Sequence, residues 1–324
     1  GIRWTSVIFH QNPKLASFAT GVGPHFCGIT TDKAAVCWGR GTYGQLGGGV
    51  DGNVGNPPAT VMGNIRWADL SVGRLTTCGR SDTGVGYCWG YNQSGEVGVA
   101  SVPLLTRSTS PVPVDGGFAF KSIIAAWLHA CGITTAGPTY CWGSNSSGQL
   151  GIGAVDTVRH RSPLPVTGSL TFVQLSLGSR YTCGLTANGD AYCWGENATG
   201  QLGDGTLTRR SSPTLVAGGL KFAQISASSG FGDGAFAPLP SSIQGSVGHT
   251  CALTAAGRPY CWGWNGNGQL GNGDIDDRLT PAAVSGDFQF STISVGGAYA
   301  CGMRGDFVWC WGSNINGQLG KGDE

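Results

Sequence analysis

One phrase recurs six times along this 324-residue chain: a cysteine, a short polar turn, a second cysteine followed by Trp-Gly, then Gly-Gln-Leu-Gly or a close variant. The copy Cys183-Gly-Leu-Thr-Ala-Asn-Gly-Asp-Ala-Tyr-Cys193-Trp-Gly-Glu-Asn-Ala-Thr-Gly-Gln-Leu-Gly203 shows it in full. The Trp-Gly landmark falls at Trp38, Trp89, Trp142, Trp194, Trp262 and Trp311, at intervals of 51, 53, 52, 68 and 49 residues. Self-similarity at this period, with several β-type runs per copy, marks a propeller whose blades are small sheets.

The content of one unit agrees. Arg210-Ser-Ser-Pro213 leads into Thr214-Leu-Val216, then a Gly-Gly turn, then Leu220-Lys-Phe-Ala-Gln-Ile225, where apolar and polar residues roughly alternate. That is the period of a half-buried strand. No stretch carries an apolar stripe at helical spacing, so almost no helix is expected. The chain reads as all-β: a six-bladed β-propeller of repeats of about 52 residues, in one domain over residues 1–324. From the last Gly of one Gly-Gln-Leu-Gly to the next first cysteine the chain takes 31, 33, 32, 48 and 30 residues. The four residues after Gly320 and the 27 up to Cys27 together make one such spacing. The N-terminal segment is therefore expected to supply the outer strands of the last blade and close the ring, removing a free sheet edge.

All twelve cysteines fall into six pairs: Cys27/Cys37, Cys78/Cys88, Cys131/Cys141, Cys183/Cys193, Cys251/Cys261 and Cys301/Cys310. Five pairs are ten residues apart and the last is nine. With a three-residue loop at Ala187-Asn188-Gly189, Cys183 and Cys193 lie opposite each other on antiparallel strands. In the last copy the loop shrinks to the two residues Gly305-Asp306, a favoured hairpin type. Loop and spacing shorten together, which keeps Cys301 opposite Cys310. Small buried thiols would need no such matching, and structural zinc wants ligands two to four residues apart converging on one ion. Six cross-strand disulfides are expected, and with them an oxidising compartment: extracellular, cell-surface, or periplasmic in a bacterium.

Charged residues make up 11% of the chain and the formal net charge is +1, which gives no electrostatic case for nucleic acid or an anionic membrane. No run of 18 apolar residues occurs, so no membrane insertion is expected. Gly1-Ile-Arg-Trp4 does not resemble a signal peptide, so an exported protein would be present here in its mature form.

The order Phe-x-x-Ile, Gly-x-x-His-Thr, Leu-Thr-x-x-Gly, Tyr-Cys-Trp-Gly-x-Asn, Gly-Gln-Leu-Gly resembles the repeat of the regulator of chromosome condensation, the RCC1-like propellers, over essentially the whole chain. The resemblance implies a propeller, in most members with seven blades; six copies and paired cysteines set this chain apart. Among the activities it brings are nucleotide exchange on a small GTPase with chromatin binding, and ultraviolet sensing through Trp clusters of a Gly-Trp-Arg-His-Thr motif. Here one copy has Trp at that point, Trp127; the others have Gly23, Arg74, Ser179, Val247 and Gly297. Secreted members, an inhibitor of β-lactamases and plant crinkly-type receptor ectodomains, match the redox reading and imply a protein-binding surface.

His25, His129 and His249 share one repeat position, filled elsewhere by Thr76, Tyr181 and Tyr299. Such interchange fits packed structural residues better than a metal ring. No Gly-x-Ser-x-Gly or His-Glu-x-x-His occurs, and Gly200-Gln-Leu-Gly-Asp-Gly205 lacks the Gly-Lys-Ser/Thr ending of a phosphate loop. No catalytic residue, cofactor or metal site is expected, the acidic run Asp274-Ile-Asp276-Asp277 reading as a solvated loop. Arg107, Arg159, Arg161, Arg209, Arg210 and Arg278 recur after Gly-Gln-Leu-Gly and read as structural, pairing with a loop Asp or stacking on a Trp; a basic rim for an acidic partner is the alternative. Asn92, Asn145 and Asn197 head N-glycosylation sequons, all in the same loop.

One linker breaks the repeat, with an insertion at about 228–246. It carries Phe231, Asp233, Phe236, Leu239 and Ile243 among glycines and prolines. Long loops in compact domains tend to be functional and aromatic anchors dominate interfaces, so these five are the binding candidates; a plug for the central channel is the competing role. The expected function is a non-catalytic extracellular module binding a protein or glycan. The alternatives are a self-assembling coat or filament subunit, a secreted RCC1-like enzyme inhibitor, and an enzyme with a central-channel site.

Overall fold

A computed structural model describes residues 14–19, 21, 23–52, 54–228 and 247–320. These residues form strands and turns with no helix. The first blade is β1 (Leu15–Ala19), β2 (His25–Thr30), β3 (Ala35–Gly39) and β4 (Val54–Thr60). The second is β5 (Trp67–Val72), β6 (Thr76–Ser81), β7 (Gly86–Asn92) and β8 (Thr106–Pro113), and the third β9 (Phe120–Ala125), β10 (His129–Thr134), β11 (Thr139–Ser144) and β12 (Arg159–Pro165). The fourth is β13 (Phe172–Leu177), β14 (Tyr181–Thr186), β15 (Ala191–Gly195) and β16 (Arg210–Leu215). The fifth is β17 (Phe222–Ala227), β18 (His249–Thr254), β19 (Pro259–Gly263) and β20 (Arg278–Ala283); the sixth is β21 (Thr292–Val295), β22 (Tyr299–Arg304) and β23 (Phe307–Gly312). Strands pair in chain order within each blade.

The N-terminal segment departs from expectation in one respect. Leu15–Ala19 pairs with β2 of the first blade, Ala19 opposite Cys27, rather than serving the last blade. The run preceding each first-cysteine strand occupies this same place in every copy, as β5, β9, β13, β17 and β21 do. The sixth blade has three strands among the described residues; residues 1–13 lie outside them.

The cysteine register is the one the spacing requires. Cys27 faces Cys37, Cys78 faces Cys88, Cys131 faces Cys141, Cys183 faces Cys193 and Cys251 faces Cys261. Cys301 faces Cys310 on strands joined by a hairpin that closes at Arg304 opposite Phe307. All six pairs are disulfide-bonded with Cα atoms 4.1 Å apart.

At each Trp-Gly for which a fourth strand is described, the pairing of the third strand with the fourth slips, as between Cys193 and Gly195. Gly195 has φ 111°, and a Cβ there would meet the Arg180 carbonyl at 2.5 Å, so the bulge requires glycine.

Contacts divide the chain into two compact units. One holds the described residues up to Ser146 together with Asp156–Val166; the other holds Ser147–Val155 and the described residues from Thr167 onward. The apolar side chains predicted from alternation form the cores. In the second unit Phe222, Ile225, Ala252, Cys183, Cys193 and Trp262 share one cluster. In the first, Phe120, Ile123, Cys78, Cys88 and Trp142 do the same. Each cluster joins one blade to the next, because the cystine of a blade packs against the Phe and Trp of its successor.

Candidate functional site

The turn that follows each Trp-Gly is built by its own repeat residues. Gln201 Oε1 accepts the Thr199 N–H at 2.9 Å, closing the turn locally, while its backbone carbonyl accepts Trp262 Nε1–H from the next blade at 3.0 Å. The same pair of bonds recurs at Gln45 with Trp89, Gln149 with Trp194, and Gln269 with Trp311. Trp89, Trp142, Trp194 and Trp262 are completely buried. The final Gly of the turn lies against that indole: a Cβ on Gly203 would sit 2.6 Å from Trp262 Nε1. Gln, Leu, Gly and Trp are thus joint residues between blades.

The cysteines belong to this scaffold and not to a surface site. Cys27, Cys37, Cys78, Cys88, Cys131, Cys141, Cys183, Cys193, Cys251 and Cys261 are fully buried. Cys301 and Cys310, in the last copy, are partly exposed. Every one is bonded to its partner, so none offers a thiol for catalysis or a metal.

The second copy has Glu96 where five copies have Gln. Its Oε2 accepts the Ser94 N–H at 2.7 Å and its carbonyl accepts Trp142 Nε1–H at 2.9 Å, so the turn geometry is kept. The side chain is buried, and desolvation pushes its carboxyl up to about 7 against the pull of backbone N–H groups and Arg159. His25, His129 and His249 are also buried, and burial pushes them down to about 4, 3 and 3. They are neutral imidazoles in the fold, His25 Nε2 sharing a 2.8 Å hydrogen bond with Thr77 Oγ1. Among the described residues no group of three or more His, Cys, Asp or Glu is placed to hold a metal.

Four of the six recurring arginines pair with loop acids, the structural role expected of them. Arg107 meets Asp51 at 2.5 Å, Arg210 meets Asp204 at 2.7 Å, Arg209 meets the buried Glu196 at 2.7 Å, and Arg278 meets Asp274. Asp274 is thereby held below the usual carboxylate range by its loop donors and Arg278, against a desolvation that raises it. Asp277 accepts the Asn265 N–H at 2.7 Å. The acidic run is an internal brace of its loop.

The sequon asparagines Asn92, Asn145 and Asn197 are fully buried. Asn197 Oδ1 accepts the Leu202 N–H at 3.0 Å, and its Nδ2 donates to the carbonyls of Thr206 and Thr208 at 2.9 and 3.0 Å. Asn92 does the same with Val97, Val102 and Pro103. Asn145 Nδ2 donates to Asp156 at 2.9 Å. A glycan on Nδ2 would displace these bonds; the repeat places Asn here to hold the loop, as Asn265 does in a copy without a sequon. Phe231, Asp233, Phe236, Leu239 and Ile243 lie outside the described residues.

Two arginine–aromatic pairs escaped sequence reasoning. The Arg40 guanidinium lies 5.8 Å from the Tyr43 ring centroid, and Tyr43 packs on Tyr91 with centroids 4.8 Å apart. The Arg74 guanidinium lies 4.4 Å from the Trp127 centroid. The available signal was that Tyr43 stands where the other copies have Ser, Thr or Asn, and that Arg74 and Trp127 stand where they have Gly, Ser or Val.

Profiles of the regulator of chromosome condensation (RCC1) repeat match residues 136–185, 188–232 and 256–303, and, in a second form, 25–45, 172–201 and 241–269. The chain belongs to the RCC1 repeat family. It is similar to the ultraviolet-B receptor UVR8 of Arabidopsis thaliana, 27% identical over 304 residues, which cover 91% of this chain and 64% of the receptor. Among solved structures it is similar to yeast RCC1 (Prp20) bound to Kap60, with a TM-score of 0.72 at 18% identity over 88% of this chain and 64% of that one. It also resembles the ectodomain of the receptor kinase CR4 of Physcomitrella patens, with a TM-score of 0.55 at 22% identity over 93% of this chain and 62% of that one. These likenesses show the RCC1 propeller fold. The chain spans less than two-thirds of the length of each of these relatives.

Proposed function

We propose that this chain is an extracellular, non-catalytic RCC1 propeller that presents a rigid surface to a protein or glycan partner. The observation that carries the reading is a disulfide in every blade. Such bonds persist in secreted, surface or periplasmic proteins and are reduced in the cytosol. The yeast relative in complex with Kap60 is a precedent for a protein-binding propeller of this family. The repeat's own polar residues are consumed in holding blades together, which leaves partner contacts to positions outside the repeat pattern. The segment 229–246 is the leading candidate, with Phe231, Asp233, Phe236, Leu239 and Ile243 as its contacts. Removing it should leave the thermal unfolding of the protein unchanged and abolish recovery of the partner from native medium. Recovery at the wild-type level would move the contact elsewhere.

Self-assembly is a second reading with its own observation. On β23, Phe307, Val308 and Trp309 are exposed, and no described strand pairs with its outer edge. Exposed apolar side chains grouped on one strand mark a surface for association with another chain. Sedimentation separates the two, since a binding module stays monomeric and a coat subunit forms ordered polymers.

A further inference from the structure

We propose that Arg40, Tyr43 and Tyr91, flanked by Arg74 and Trp127, form a binding site for an acidic glycan, a chain of sugar rings bearing carboxylates. This rests on reading the chain as a binding module and names a site apart from the 229–246 segment.

All five residues belong to the unit made of the first three blades. The turn after β3 carries Arg40 and Tyr43, the end of β7 carries Tyr91, and the loops between first and second strands carry Arg74 and Trp127. These loops lie together at the end of the blades opposite the cysteine hairpins. The Tyr91 N–H donates to the Leu75 carbonyl at 2.9 Å and Thr76 Oγ1 donates to the Tyr91 carbonyl at 2.8 Å, which sets the Arg74–Leu75 loop against Tyr91. The Arg74 N–H in turn donates to the Ala126 carbonyl beside Trp127.

The scaffold does not require these side chains. The position of Tyr43 is Ser94, Ser147, Thr199, Asn267 and Asn316 in the other copies, and there too the backbone N–H closes the turn. At the position of Arg40 and Tyr91 the other blades have Ser144, Glu196, Trp264 and Ser313, so the turn accepts serine there but is not confined to it. Tyr43, Tyr91, Arg74 and Trp127 remain partly exposed and Arg40 is exposed. Two tyrosine rings in contact at an open surface keep apolar area in water that no repeat rule explains.

The charge of the site is one-sided. Arg40 reaches Thr42 Oγ1 at 3.2 Å and has no carboxylate partner among the described residues. The acids of this unit are engaged elsewhere: Asp51 with Arg107, Asp69 with Arg80, Asp82 with Arg66, Asp156 with His160, Asp32 with the Thr30 hydroxyl, and Asp115 with the Ala100 N–H and the Ser162 hydroxyl, while Glu96 is buried. A guanidinium at the edge of an aromatic shelf offers a planar fork to a carboxylate. The shelf itself suits the C–H face of a pyranose ring, which is apolar and lies flat on an aromatic face. An acidic peptide would use the arginines and leave the rings idle; nucleic acid needs a basic stripe that a net charge of +1 does not supply.

The test uses an oligogalacturonate as probe and titration calorimetry on the full chain. The variants Tyr43→Ser, Tyr91→Ser and Arg40→Ser install residues that other copies carry at the same positions, so the fold is retained, as a thermal melt will verify. Wild-type protein should bind the probe, each Tyr variant should bind about ten-fold more weakly, and Arg40→Ser should erase the preference for the free acid over its methyl ester. Absence of binding by the wild type overturns the site, as does equal binding by the Tyr variants or equally tight binding of a poly-glutamate peptide. Recovery of a native partner by a variant that has lost the probe would leave the binding-module reading intact, whereas a wild type that binds neither would remove both.

Discussion

Reducing the six disulfides should unfold the protein under conditions in which the oxidised form is native. Each bond closes a loop of nine or ten residues, and such a constraint on the unfolded chain is worth about 2–3 kcal/mol. Contributions of this size need not add, yet even half their sum rivals the whole stability of a typical domain, about 5–15 kcal/mol. The joints depend on them locally, because cystines such as Cys183–Cys193 sit at zero exposure among the Phe and Trp side chains of the next blade. Circular dichroism with and without a thiol reductant measures the effect. A reduced protein that melts within a few degrees of the oxidised one would show that packing alone sustains the fold.

The second large effect lies at Glu96. Its carboxyl titrates near 7 in the fold against 4.5 in the unfolded chain. Below 4.5 both states are protonated and burial carries no ionisation penalty. Between 4.5 and 7 the unfolded chain gives up its proton first, so stability falls as pH rises; above 7 the full cost is present, about 3 kcal/mol from the size of the shift. Glu96→Gln installs the residue of the five other copies, which holds the same turn through Oε1 without a charge. The variant should match wild type near pH 4 and exceed it by about 3 kcal/mol at pH 8. The buried histidines His25, His129 and His249 are held neutral, so acid destabilises both proteins alike, and the difference between the two denaturation curves isolates Glu96. A constant difference across this range would contradict the buried, uncharged acid.

Much of the scaffold was legible because its determinants are local. A cysteine spacing that shrinks with its hairpin loop specifies register, and some of the arginines after Gly-Gln-Leu-Gly find an acid in their own loop, as Arg278 finds Asp274 and Arg210 finds Asp204. The Asn of the sequons was ambiguous for a physical reason. A buried loop anchor and a glycosylation acceptor can share the same three-residue string, and only the hydrogen bonds of Asn197 to Leu202, Thr206 and Thr208 tell them apart. Contacts between copies were the illegible part. Tyr43 and Tyr91 stand in successive repeats, as do Arg74 and Trp127, and no periodicity within one repeat announces that they meet. The boundary within the N-terminal segment was not legible, because counting residues across the two termini gives a total and not the point at which one blade ends and the next begins; Leu15–Ala19 is already the first strand of the first blade.

The central claim is that every blade is covalently stapled and that the protein works where such bonds survive. Protein taken from its native source, denatured without reductant and treated with iodoacetamide, should take up no label by intact mass; after reduction it should take up twelve, one per cysteine. Label on any cysteine before reduction would contradict the account, and label on all twelve would place the chain in a reducing compartment.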